Sequence, residues 1–125
     1  QTGALRQKLW LIPFLTVILM FITSCEYEFI EIDQPDPDVP VSFSEIIIPI
    51  FSAKCTGCHT TGRTSPDLSR DNAFNSIVPE YIDTGTPGQS KIYTVPAPTS
   101  PHGGRYSTQE AAFVLTWIEQ GAQNN

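Results

Sequence analysis

Apolar and polar positions divide the chain into three stretches with different periods. Residues 9–22 form a nearly unbroken apolar run of 14 residues, LWLIPFLTVILMFI, with Arg6 and Lys8 before it and Thr23, Ser24 and Cys25 after it. Basic, apolar and then small or hydroxylated residues is the order of a secretory signal. A membrane-spanning helix needs about 20 apolar residues, so residues 1–24 read as a signal peptide, with an uncleaved N-terminal membrane anchor as the alternative. The second stretch, EYEFIEIDQPDPDVPVS, alternates acids with Pro35, Pro37 and Pro40. Proline fixes φ and keeps the residue before it out of helical geometry, which predicts an extended, semi-rigid spacer over 25–41.

Helical periods appear only beyond residue 42. Ser42 or Ser44 can cap a first helix in which Ile46, Ile47, Ile50 and Phe51 fall on one stripe. Pro49 removes a hydrogen bond near its start and predicts a kink or a late beginning. The last helix has the clearest signals. Ser107-x-x-Glu110 is a capping box, Ala111, Val114, Leu115 and Ile118 make a buried stripe, and Gly121 ends it. Phe113 and Trp117 widen that apolar face, either as ordinary core or against a flat cofactor. Between the two, turn residues dominate, with short helices predicted at 69–78 and 88–94 and no period-2 run long enough for a sheet. The expected fold is all-α, with long loops that wrap something.

Charge sharpens this division. The formal net charge is -6, but six of the 13 acids lie between Glu26 and Asp38, where there is no base. An acidic chain of this kind is not built for nucleic acid. The stretch from residue 39 onward carries seven acids and five bases and is near the lower size limit for a self-supporting core. Extra stabilisation is therefore expected.

Cys55-Thr56-Gly57-Cys58-His59 is C-x-x-C-H, the attachment sequence for c-type haem. Two thiols three residues apart on one turn can reach two vinyl groups of one porphyrin, and the adjacent imidazole can meet the iron. The secretory leader agrees, because covalent haem attachment takes place outside the cytoplasm. Three other uses of the pair compete: a thioredoxin-like centre, which would need a βαβ setting; structural zinc, for which Cys55, Cys58 and His102 lack a matching second pair; and a plain exported disulfide, which leaves His59 and the wrapping loops without a role.

Ile22-Thr23-Ser24-Cys25 resembles a bacterial lipobox, which implies lipidation of Cys25. The acids after it are either a solvated tether or a surface-export signal of the Bacteroidota type. The segments IIPIFSAKCTGCH and WIEQGAQNN, with everything between them, resemble the monohaem cytochrome c lipoproteins of the Bacteroidota and the planctomycete-type cytochrome c domain. The resemblance covers about residues 43–125. It implies a class I-like cytochrome c domain over 42–125, one covalent haem c on Cys55 and Cys58, and an electron-transfer role. Where such proteins carry a methionine before Pro and Gly-Gly, this chain reads Ser100-Pro101-His102-Gly103-Gly104. The only methionine, Met20, lies in the leader. With the resemblance, this implies bis-histidine ligation, His59 proximal and His102 distal; the alternative is a surface His102 and an open or lysine-filled sixth site.

The implied function is a carrier of single electrons, tethered by lipid or an N-terminal helix in the bacterial cell envelope, on the periplasmic side or the outer surface, and serving redox partners such as a respiratory complex. No catalytic residue is assigned, because filled axial sites leave no iron position for substrate. Two further roles fit the same residues: a haem-based sensor in which His102 is displaceable, and a structural subunit stabilised by its haem.

Overall fold

Residues 34–125 are described by the computed structural model. The signal segment, Cys25 and the first part of the spacer lie outside the described residues. Among the described residues every regular element is helical and none is a strand, as expected from the sequence. None of their helices is long and apolar enough to cross a membrane.

The first helix begins late in its α form. The Ser42 hydroxyl accepts the amide of Glu45 and caps a π-helical turn, Phe43–Ile47, before α1, Ile48–Lys54. Pro49 falls near the start of α1, just where the π-helical turn gives way to α-helix. Ile47 and Phe51 are buried, and Ile46 and Ile50 flank them half-buried. Two short helices come next, α2, Ala73–Ile77, and α3, Lys91–Thr94, the latter after a 3-10 turn at Pro87–Gln89. Both regions expected to be helical are shorter than their apolar patterns suggested, because Ser69 to Asn72 and Ser90 are committed to turns.

The last helix, α4, Thr108–Glu119, has the predicted capping box. Ser107 accepts the Glu110 amide and the Glu110 carboxylate accepts the Ser107 amide. At the other end Gly121, at φ +95, donates to Ile118 O while Ala122 donates to Trp117 O, the paired bonds of a Schellman close. Burial on α4 differs from expectation at one position. Ala111, Val114, Trp117 and Ile118 are buried, whereas Leu115 is half-buried. The buried arc is rotated toward Trp117 because Phe43 lies there, its ring stacked at 5.1 Å on the indole. Phe43 also meets Phe74 and Phe51 edge-on, so one residue at the first turn joins α1, α2 and α4.

The last residues of the expected spacer pack against the helices. Asp36 to Val39 form a turn, and the Gln120 side chain holds this segment against α4: its Oε1 accepts the Val41 amide at 2.8 Å, and its Nε2 donates to Pro37 O and Val39 O. Val41 is buried in the core, so the folded unit starts before residue 42.

Candidate functional site

The C-x-x-C-H turn continues directly from α1. Cys55 N–H closes the helix on Phe51 O, and the amides of Cys58 and His59 both donate to Cys55 O, at 3.0 and 2.9 Å. Cys55 is buried and Cys58 exposed, and both thiols are free. Burial, reinforced by the Glu110 carboxylate and only partly offset by Lys54, pushes the Cys55 thiol up to about 11.

His59 is fixed from two sides. Its backbone carbonyl accepts the Leu68 amide at 3.0 Å, and its Nδ1 lies 3.2 Å from Pro66 O. The loop that presents Pro66 is braced by Asp67, whose carboxylate accepts from Ser69, Thr61 and Asn72. Those hydrogen bonds, Ser69 first, hold the Asp67 carboxyl well below the usual range. Asp67 N–H in turn donates to Ser76 Oγ, which ties the loop to α2.

His102 lies across from it. The two imidazole centroids are 5.9 Å apart and their planes 28° from parallel. Nδ1 of His102 lies 2.9 Å from Gly104 O, and its amide donates to Ser100 Oγ, which itself donates to Val95 O. A carbonyl can only accept, so Nδ1 is the donor on both rings, and Nε2 is the nitrogen not engaged by these contacts. An outer nitrogen engaged by a backbone carbonyl is the arrangement that orients metal-ligating histidines.

The His102 loop sits hard against α1. A Cβ on Gly104 would stand 2.6 Å from Lys54 O, so only glycine lets the loop approach this closely. A Lys54–Glu110 ion pair at 3.5 Å links the same end of α1 to α4.

Between the histidines is a cavity of about 150 Å³, open on one side. Its lining includes Cys55, His59, Leu68, Ile92, Val95 and Tyr106. The Tyr106 hydroxyl is satisfied by Ile92 O at 2.8 Å, so the ring presents an apolar face, and burial raises the phenol well above its ordinary value. Two larger hollows lie beneath the spacer, one beside Trp117 and one beside Phe113, away from both histidines and both cysteines.

Four of the residues singled out from the sequence therefore occur at or beside one cleft: Cys55, His59 and His102 line it, and Cys58 comes later on the same turn. Phe113 and Trp117 do not line it; Trp117 packs on Phe43 and donates its indole N–H to Gln123 O. Tyr106 joins the cleft without having been expected there, although its position carries a readable signal. It sits one residue before the cap of α4, with Ala111 at the position that completes a hydrophobic staple.

Two thiols on one turn and two imidazoles at the same cleft are the donor set that a covalent haem would use. Among the described residues no three His, Cys, Asp or Glu side chains are grouped as a metal ion held by the protein alone would need. Comparison with protein-family models, curated proteins and solved structures finds no match for this chain.

Proposed function

We propose that this chain is a monohaem c-type cytochrome with a class I-like domain, which carries single electrons between respiratory redox partners in a bacterial cell envelope. Cys55 and Cys58 would hold haem c through thioethers, and His59 and His102 would be its axial ligands. The leader or a lipidated Cys25 would tether it to the membrane, and the bound group would supply a one-electron couple.

The observation that carries this reading is the pair of histidines: each ring is fixed through Nδ1 by a backbone carbonyl, with the centroids 5.9 Å apart across a mostly apolar cleft beside the C-x-x-C turn. The carbonyl contacts at each Nδ1 would leave the Nε2 atoms to meet the bound group. If both axial positions were filled by protein, no iron position would be left for a substrate. Tethering to a membrane raises the effective concentration of a carrier near its partners.

The test is a pyridine haemochrome spectrum of the full chain, expressed with haem-attachment machinery and stripped of loose haem by acidic organic extraction. The expected result is one covalently retained haem c per chain; a colourless protein would overturn the proposal. Carbon monoxide separates carrier from sensor. A held His102 resists displacement in the reduced protein, and rapid tight binding would favour the sensor.

A further inference from the structure

Lys91 stands apart from the other cations. Apart from the two histidines it is the only basic side chain that lines the cleft, and no Asp or Glu lines it. Its Nζ lies over the Tyr81 ring, 5.8 Å from the centroid, and Tyr81 lines the same cleft. Tyr81 is in turn fixed to α3, because its carbonyl accepts the Ile92 amide at 3.1 Å.

Three of the other four cations beyond residue 39 are engaged, and the fourth, Arg70, does not line the cleft. Lys54 pairs with Glu110, Arg63 donates to Gly57 O at 2.7 Å, and Arg105 donates to Ser100 O at 3.3 Å. The nearby Asp83 carboxylate is turned back on its own loop, accepting from Gly85 and Thr86. Among the described residues the one ion pair is Lys54–Glu110, so no carboxylate of the chain there pairs with Lys91.

Lys91 is exposed yet lines the cleft, so its ammonium, held against an aromatic face, is placed to meet an anionic group seated there. Haem carries two carboxylates. We infer that Lys91 is the counter-cation of a haem propionate, fixing the carboxylate edge of the ring on the α3 side of the cleft and raising the reduction potential. This inference rests on the haem reading above. Neutralising a propionate removes negative charge that would otherwise favour the ferric state, so loss of the lysine lowers the potential.

The experiment is a spectroelectrochemical titration of the full haem-loaded chain and its K91Q, K91R and R70Q variants at low and high ionic strength. K91Q is expected to keep covalent haem and the same low-spin spectrum, with its redox equilibrium shifted threefold to tenfold toward the oxidised form. Tenfold corresponds to about 59 mV for a one-electron couple. The shift shrinks in salt, K91R restores the original value, and R70Q leaves it unchanged. A K91Q potential within twofold of the parent at low salt would overturn the role of Lys91 and leave the haem reading intact. A parent chain without haem would remove both.

Discussion

Substituting Gly104 by alanine tests whether the His102 loop and the C-x-x-C-H helix form one unit. The added methyl group would stand 2.6 Å from Lys54 O, whereas a carbon–oxygen contact settles at about 3.3 Å or more. Something must move by about 0.7 Å. The obstacle is backbone at the end of α1, so the adjustment falls on the loop. Overfilling of this kind costs about 1–3 kcal/mol, which for a domain under 100 residues lowers Tm by about 5–20 °C. Gly103, one residue earlier, is the control: a Cβ there meets nothing within 4 Å. With a less entropic unfolded chain, G103A should be neutral or stabilising by up to about 1 kcal/mol. Thermal unfolding of both variants, monitored by circular dichroism, gives the comparison. In haem-loaded protein the visible spectrum adds a second readout, because Gly104 O is the partner of His102 Nδ1. If G104A melts with G103A and keeps the parental spectrum, the close packing of loop on helix is refuted.

Other perturbations probe separate parts of the molecule. H102A should convert a low-spin haem spectrum to high-spin, and an unchanged spectrum would remove His102 as a ligand. In the haem-free chain at pH 9, alkylation should modify exposed Cys58 well before Cys55, whose thiol is pushed up to about 11; equal rates by mass spectrometry would show that Cys55 is not buried. Because that value is raised on folding, the protonated thiol contributes stability that is full below about 9 and lost as pH rises toward 11. Q120A removes three hydrogen bonds to residues 37–41, a loss of about 1–3 kcal/mol. It should speed hydrogen exchange at the Val41 amide, and unchanged protection there would mean that the spacer is held by other contacts.

If both axial ligands are histidine, the centre should sit at a lower potential than a His/Met one. Lys91 would act in the opposite direction. The two effects are separable, since exchanging the axial ligand changes the spectrum as well as the potential, whereas K91Q should change the potential alone.

Local features were legible from the residues themselves. The capping box at Ser107 and Glu110, the glycine close at Gly121 and the late α-helical start at Pro49 each depend on groups a few positions apart, where backbone geometry leaves few options. The C-x-x-C-H spacing is local in the same way. Composition contributed an elimination, because the one methionine, Met20, lies outside the domain expected over 42–125. The π-helical entry, the rotation of the buried arc away from Leu115 and the role of Phe43 were not legible. Each depends on which partner occupies the space opposite, and helical periodicity says only that a face is apolar.

By itself, then, the sequence determined an all-helical unit, its two principal helices and the chemistry available to it: two thiols, two imidazoles and an apolar setting. The tertiary structure alone decided that His102 faces His59 with both Nδ1 atoms held, that Gly104 lets the loop press on α1, and that Gln120 draws the spacer into the fold. The physical reason is one of range. Caps, turns and helical stripes are settled within a few residues, whereas a cleft is made by segments far apart in the chain, and its geometry exists only once the core between them has packed.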